Sequence, residues 1–299
     1  MPEGPEVTIL SQYLASRITG RQFSKVEVLK GEILNINTIN NKNLKVKKTG
    51  SKGKLMWIEL EGGIYFMSHM GMTGQWSFKK TSKDRVRIKI TNSSNDKKYY
   101  LCYTDPRNFG NIEIIINSDD FNKKIDLIAM DALRTFFTDA DFSNLIDKYL
   151  SVSKARSNQK IVVALMKQNK ADGIVSGIGN YLAAEILYKS KISPYRIVGS
   201  LTNIERKTLA YAIRYVTKLS YYNNTTGYMK NFGSFIEVHR KRIDSRKYAN
   251  YHTDIVLNST NKFEFSVYKQ KIDPLGNVVK ADENVNKDRT TYWVEQVQV

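Results

Sequence analysis

The hydrophobic pattern changes its period once along the chain, and that change restricts the fold more than any other feature. From residue 22 to about 116, apolar residues alternate with polar ones or run in short apolar stretches, at 55–60, 64–68, 86–90, 99–103 and 112–116. Alternation puts successive side chains on opposite faces of a sheet, so these stretches read as strands, and Gly62-Gly63 is a two-residue hairpin signal. From residue 161 the spacing becomes helical. Helices are expected over 161–168, from Asn180 to about 189, and from the capping box Thr202-Asn-Ile-Glu205 to about 220. Strands followed by helices define an α+β chain, with an all-β unit of sandwich or flattened-barrel type preceding a helical one. The chain closes on a strand-like 263–268, a turn at Asp273-Pro-Leu-Gly276, and a final strand over 290–297 with Arg289 at its bend.

A helix leads into the sheet. Gly4 and Pro5 read as its N-cap and first position, Val7, Leu10, Leu14 and Ile18 fall on one face, and Gly20 ends it. The start Pro2-Glu3-Gly4-Pro5-Glu6 has a chemical side as well. Removal of Met1, which a small second residue permits, leaves a secondary amine at Pro2 beside two carboxylates at a positive helix end. α-Amino groups have a reference pKa of about 7.7–8.0, so a useful fraction is neutral and nucleophilic at pH 7. Taken alone, the same residues read more readily as a capped amphipathic helix with acidic residues in its first turn.

The chain has 299 residues and a formal net charge of +18, divided evenly as +9 on each side of residue 125. A partner spanning both halves is expected, and a polyanion fits. Nucleic acid suits better than a membrane, because no apolar run approaches the ~20 residues that span a bilayer. No signal peptide is visible, and Cys102 is the single cysteine, so an intracellular protein without intramolecular disulfides is expected. His69, His239 and His252 have no metal-binding spacing, and neither metal nor cofactor is expected.

Several connecting stretches carry unusual residues. Residues 42–54 hold six lysines and no acid, ending in Ser51-Lys52-Gly53-Lys54, and read as a loop of phosphate-steering charge or a solvated face. His69-Met70-Gly71-Met72-Thr73-Gly74 is a glycine-framed turn with a methionine at its tip, and Asp105-Pro106-Arg107-Asn108-Phe109-Gly110 is a turn presenting an arginine and an aromatic. Between the helices, the glycine-rich stretch from Gly173 to Gly179 fits neither a dinucleotide fingerprint nor a nucleotide-hydrolase phosphate loop. Two helices joined by such turns, with Asn180 as cap of the second, either aim backbone amides at a phosphate or simply connect. The stretch 227–262 is basic, with Tyr248 and Tyr251 interleaved, and reads as a substrate-binding loop or a basic insertion. The divisions expected are 1–125, a linker over 126–155, a helical domain over 156–262 and a hairpin over 263–299.

Together these stretches resemble the formamidopyrimidine-DNA glycosylase and endonuclease VIII family over essentially the whole chain. Five carry the likeness: the Pro-Glu-Gly-Pro-Glu start, Gly53-Lys54, His69 to Gly74, Asp105 to Gly110, and a helix-two-turn-helix motif over about 164–194. Gly4, where leucine is the alternative, resembles the endonuclease VIII branch. The resemblance implies an N-terminal β-sandwich with its leading helix and a C-terminal helix-two-turn-helix domain. It implies a monomeric, bifunctional DNA glycosylase and AP lyase acting on damaged double-stranded DNA, with oxidised pyrimidines and hydantoins as expected lesions. By position it assigns Pro2 as nucleophile, Glu3 as acid and proton shuttle, Glu6 as supporting carboxylate, and Lys54 and Asn180 to phosphates. Met72, Arg107 and Phe109 match the trio that fills the gap left by an extruded nucleotide. Family members commonly end in a four-cysteine zinc finger. This chain lacks those cysteines but keeps Asp273 to Gly276 and Arg289-Thr290, resembling the zincless finger of Nei-like enzymes, with Arg289 on phosphates. The competing expectation is a non-catalytic nucleic-acid-binding protein, which accounts for the charge but not for the amino terminus.

Overall fold

The computed structural model describes residues 2–40, 42–91, 98–223, 235, 251–258, 260–286 and 289–299. The basic stretch from Arg240 to Tyr248 lies outside the described residues. The chain divides into two compact units, one holding Pro2 and residues 6–126, the other residues 3–5 and 127–299.

Helix α1 (Gly4–Ile18) forms as its spacing predicts, with Val7, Leu10, Leu14 and Ile18 all fully buried and Gly20 at φ +81 ending it. It is tied to the sheet by the Thr49 hydroxyl, which donates to the Ser11 carbonyl at 2.6 Å. Eight strands follow: β1 (Gln22–Val28), β2 (Leu44–Lys52), β3 (Leu55–Leu60), β4 (Ile64–His69), β5 (Gln75–Ser77), β6 (Asp84–Thr91), β7 (Lys98–Thr104) and β8 (Asn111–Ile115). Their antiparallel order is β5-β7-β6-β1-β2-β3-β4-β8. β1 runs along β6 for most of its length but meets β2 only at Gln22↔Lys45 and Phe23↔Leu44. The sheet folds at that short joint, so strands far apart in the order come together. Trp76 of β5 sits edge-on to Phe66 of β4 at 5.8 Å and donates its indole N–H to Ser68 at 3.1 Å. This closes two four-stranded layers over a core that includes Val26, Ile58, Phe66, Ile88, Leu101 and Tyr103. The turn from β3 to β4 is one residue longer than the two-residue hairpin expected: Leu60 faces Ile64, so Glu61, Gly62 and Gly63 form the loop, both glycines at positive φ, +79 and +71.

One sequence reading fails in this unit. The lysine-rich stretch 42–54 is mostly strand β2, not a loop. Val46 and Ser51 point into the core while Lys47 and Lys48 face solvent and pair with Glu59 at 4.0 and 3.2 Å. The alternation is broken by a register shift between Val46 and Lys48, which hides the strand in the sequence, and pairing with β3 supplies the backbone partners that a loop would lack. After β8, helix α2 (Ser118–Leu127) closes the unit by stacking Phe121 on Tyr65 at 3.9 Å.

In the second unit, β9 (Met130–Asp131) pairs in parallel with β10 (Val175–Ser176). Around it lie α3 (Asp139–Ser151), α4 (Lys154–Ser157), α5 (Ile161–Met166), α6 (Asn180–Ser190) and α7 (Asn203–Asn223). The core gathers Phe142 and Ile146 of α3, Leu165 of α5, Leu182 and Ile186 of α6, and Leu209 and Ile213 of α7. The box at α7 is present: Thr202 Oγ1 accepts from Glu205 N at 3.2 Å and Glu205 Oε2 accepts from Thr202 N at 2.7 Å.

The C-terminal hairpin is built from β11 (Lys280–Asn286) and β12 (Arg289–Trp293), with Ala281↔Tyr292 and Asn286↔Arg289 in register. The expected strand at 263–268 is absent. Phe263 makes only an isolated bridge, 266–268 bend and turn, and the amides of Ser266, Val267 and Tyr268 are taken by a side chain. Val294 and Tyr292 pack with Val267 and Tyr268, together with Ala184 of α6. Trp293 points to the opposite face, edge-on to Tyr195 at 5.7 Å.

Candidate functional site

Helix α6 begins at a glycine turn. Its N-cap residue is Gly179, which has no side chain to offer, so the first amides of the helix need an outside acceptor. Glu3 supplies it. Its carboxylate accepts from Gly179 N at 2.7 Å, Tyr181 N at 3.0 Å and Leu182 N at 3.2 Å, and the residue is 1% exposed. A carboxylate at the positive end of a helix, held by three N–H donors, has one orientation. A Cβ at Gly179 would collide with that carboxylate, which explains glycine there. Gly4 is fixed in the same way: its amide donates to the Gly177 carbonyl at 2.8 Å, and a Cβ would meet Gly177 Cα at 3.0 Å. Gln168 steadies the turn, accepting from Gly177 N at 2.8 Å and donating to the Ile178 carbonyl at 3.1 Å.

Two readings of the sequence are corrected here. Asn180 is not the cap of α6; it is the first helical residue, and its Nδ2 donates to the Thr290 carbonyl at 3.0 Å. The leading amides of α6 do not await a phosphate, because Glu3 holds them. A cap delivered from the far end of the chain leaves no local sequence signal.

The Asn180–Thr290 bond sets Asn180 beside Arg289, which opens β12. Tyr268 joins this group. Burial raises its phenol pKa, with the Glu3 and Tyr292 charges acting the same way, while Asn180 and Arg289 oppose it. Tyr268 is held by Glu185 of α6, whose buried carboxylate accepts from the amides of Ser266, Val267 and Tyr268 at 3.0, 3.0 and 2.9 Å. Burial pushes the Glu185 pKa up, and the three N–H donors pull against it. Glu185 was not singled out from the sequence. The signal available was an acidic residue on the buried side of an amphipathic helix.

In the first unit, Pro2 is buried and Glu6, in the first turn of α1, is 2% exposed. Lys54 follows Gly53, at φ +56, in the tight turn between β2 and β3. His69 lies opposite Leu55 in the β3–β4 ladder, and crowding of its ring together with the Lys54 charge lowers its pKa. Met72 and Phe109 are exposed at 38% and 60%, and Arg107 is exposed beside them in sequence. Their two loops are bolted together by buried Asp105. It accepts from Thr73 Oγ1 at 2.7 Å, from Gly110 N at 2.7 Å and from Arg85 at 3.4 Å, while Arg85 also donates to the Gly110 carbonyl at 2.9 Å. Close packing completes the joint. A Cβ at Gly71 would strike the Phe109 backbone, and one at Gly74 or Gly110 would strike the Tyr103 hydroxyl. The structure therefore brings Met72, Arg107 and Phe109 onto one rigid double loop. Asp105 stood within a recognised stretch but had no role in the sequence reading.

Residues 263–299 contain no cysteine and no histidine. Asp273 accepts from Leu275 N, Asn277 N, Asn277 Nδ2 and Tyr188 OH at 2.7–3.0 Å, and the single cysteine is buried in β7 of the other unit. Among the described residues no three His, Cys, Asp or Glu side chains converge as a metal site, and no helix is long and apolar enough to cross a membrane.

Residues 1–112 match the formamidopyrimidine-DNA glycosylase N-terminal domain and residues 253–299 its C-terminal domain, together more than half of the chain. The formamidopyrimidine-DNA glycosylase of Pelobacter propionicus is 33% identical over 230 residues, covering 74% of this chain and 79% of the relative. That of Mycoplasma genitalium is 29% identical over 263 residues, covering 81% and 86%. In fold, the chain is similar to the MutM (Fpg) protein of Thermus thermophilus, with a TM-score of 0.73 at 20% identity over 99% of this chain and 98% of the other. It is equally similar, at 0.73 and 18% identity over 99% of both chains, to a Lactococcus lactis formamidopyrimidine-DNA glycosylase bound non-covalently to DNA containing an AP site. With both terminal domains matched, and with relatives that align over most of their own length, the chain belongs to the formamidopyrimidine-DNA glycosylase family of DNA-repair enzymes.

Proposed function

We propose that the chain is a bifunctional DNA glycosylase and AP lyase that removes oxidised bases from duplex DNA through an amino-terminal proline Schiff base. The observation that carries this reading is the seating of Glu3. A carboxylate next to the chain terminus is locked by three helix amides, with its orientation set before any substrate arrives. In the reaction, the neutral Pro2 amine attacks C1′ of the damaged nucleotide and the C1′–N bond to the base breaks. Glu3, directly or through water, delivers the proton the departing base needs, and Glu6 supports the charge balance. The Pro2 nitrogen then gives its proton to Glu3, the C1′–O4′ bond opens with O4′ taking up a proton from Glu3 or water, and the ring-opened product is an iminium whose nitrogen has no further proton to lose. Its positive charge acidifies C2′; loss of that proton expels the 3′ phosphate and cuts the strand, a second elimination can release the 5′ phosphate, and water then frees Pro2.

Lys54, Asn180 and Arg289 are assigned to phosphates flanking the lesion, where cationic and amide donors suit anionic oxygens. Met72, Arg107 and Phe109 are assigned to the gap left by the flipped nucleotide, offsetting the lost stacking. Oxidised pyrimidines and hydantoins remain the proposed lesions, although the packing of Gly4 on Gly177 accounts for that glycine without reference to a lesion. A panel of duplexes carrying oxidised pyrimidines, hydantoins and formamidopyrimidines decides among them.

The central test is borohydride trapping on abasic DNA. The mature chain is expected to become covalently linked, whereas a chain with an added N-terminal tag binds DNA but neither traps nor cleaves. Glu3→Gln is expected to keep lesion binding and lose about 10²- to 10⁴-fold in single-turnover excision. Normal trapping by the tagged chain would overturn the mechanism, and absence of trapping by the mature chain would leave a binding protein.

A further inference from the structure

At the end of α1 away from Pro2, a row of three rings lies between two arginines. Tyr13 meets Phe78 edge-on at 5.9 Å, and Phe78 meets Tyr99 at 5.6 Å. The Arg17 guanidinium stands over Tyr13 at 5.7 Å, and that of Arg21 stands over Tyr99 at 5.2 Å. The Tyr99 hydroxyl donates to the Arg17 carbonyl at 2.9 Å, fixing the helix end to β7. These five residues line a cavity of about 390 Å³, within the size range of small-ligand sites. At about 1.5 Å per residue, the helix puts this cavity about 20 Å along α1 from the amino terminus. It is therefore separate from the residues assigned to catalysis.

Its chemistry is specific. Phe78, at the middle of the row, has no polar group and makes an apolar floor for a flat ring. Among the described residues neither arginine makes an ion pair, and each guanidinium lies over a ring. A guanidinium held over an aromatic face keeps its outward N–H groups for an anion. The ligand that matches is an aromatic ring with an anionic group on each side. A nucleotide within a single strand has that form, since a phosphate precedes and follows each base. A phosphotyrosine or a terminal carboxylate on a peptide carries its anion on one side only. We propose that Tyr13, Phe78, Tyr99, Arg17 and Arg21 form a second nucleic-acid site, which takes one base of a single strand onto the rings and its two flanking phosphates onto the arginines. Aromatic platforms edged by cations bind single strands in this way, with little preference among bases.

The proposal goes beyond the glycosylase reading and does not rest on it. The test uses the full chain and a fluorescein-labelled five-residue oligothymidylate, titrated with excess undamaged duplex present to occupy other DNA-binding surfaces. Saturable binding is expected, weakened about a hundredfold by Arg17→Gln with Arg21→Gln, since each lost charged hydrogen bond is worth about one decade or more. Excision from damaged duplex should be unchanged in the same variant. A strand carrying one 5-iodouracil, irradiated with the wild-type chain and mapped by mass spectrometry, should crosslink to Phe78, Tyr13 or Tyr99, a readout that stands even if the double variant fails to fold. Equal affinity in the variant, or crosslinks confined to other residues, would overturn the assignment. So would tighter competition by a phosphotyrosyl peptide than by the oligonucleotide, which would mark the cavity as a peptide pocket.

Discussion

His252 illustrates how one buried side chain can set the acid limit of the second unit. It is 1% exposed, its Nε2 donates to the Ala132 carbonyl at 2.8 Å, and its ring lies edge-on to Phe137 at 5.4 Å. Burial pushes its pKa down from 6.5 to about 4, against the opposing pull of the Ala132 bond and Asp254. The neutral ring is the folded form. The unfolded chain binds a proton near pH 6.5, while the folded chain does so only near pH 4, so stability falls as pH drops between those values. From pH 7 to 4.5 the wild type should lose on the order of 2 kcal/mol more than His252→Asn, which keeps a residue that tolerates the left-handed backbone found there, φ +51. Denaturant unfolding at a series of pH values checks this, and parallel profiles for the two proteins would refute it.

At the scale of elements, two assemblies separate positioning from chemistry. The double loop carrying Met72, Arg107 and Phe109 depends on Asp105, whose side chain is fully buried against Thr73, Arg85 and Gly110. Asp105→Ala leaves the buried Gly110 amide without its acceptor and the largely buried Arg85 guanidinium without its counter-charge, so a loss of roughly 2–4 kcal/mol is expected. If the trio fills the gap, excision from duplex should fall more than cleavage of a preformed abasic site, and equal losses would argue against that role. The hairpin makes a complementary case. The turn leading into it is held by the four hydrogen bonds of Asp273, and the packing around it by Val267, Val279 and Val294. A chelator should change neither melting temperature nor activity, whereas Asp273→Ala lowers the melting temperature. Arg289→Ala, by contrast, should weaken lesion binding with little thermal effect. Zinc retained at one equivalent per chain would contradict this account of the hairpin.

For the molecule as a whole, the net charge of +18, spread over both halves, makes binding to duplex DNA an electrostatic matter. Affinity should fall linearly on a plot of log K against log salt, with a slope of about −0.9 for each phosphate neutralised. Lys54→Ala and Arg289→Ala should each flatten that slope by about one unit, which titrations between low and physiological salt would reveal. An unchanged slope in either variant would remove that residue from the phosphate contacts.

What was legible from sequence alone is what local physics governs. The strand-to-helix change of period, α1 with its four buried apolar residues, the Gly62-Gly63 turn, the Thr202–Glu205 box and the turn at Asp273 all depend on neighbours close in the chain. So do the stretches that mark the family. Three readings failed for a common reason: 42–54 as a loop, 263–268 as a strand, and Asn180 as a cap were each settled by a distant partner. β3 pairs the lysine-rich stretch, Glu185 takes the amides of 266–268, and Glu3 caps a helix that begins 177 residues later. The bolting of two loops by Asp105 and the ring row between Arg17 and Arg21 belong to the same class. Composition and periodicity encode which segments become strands or helices, but a hydrogen bond between residues remote in sequence exists only once the chain has folded, and tertiary structure alone decides it.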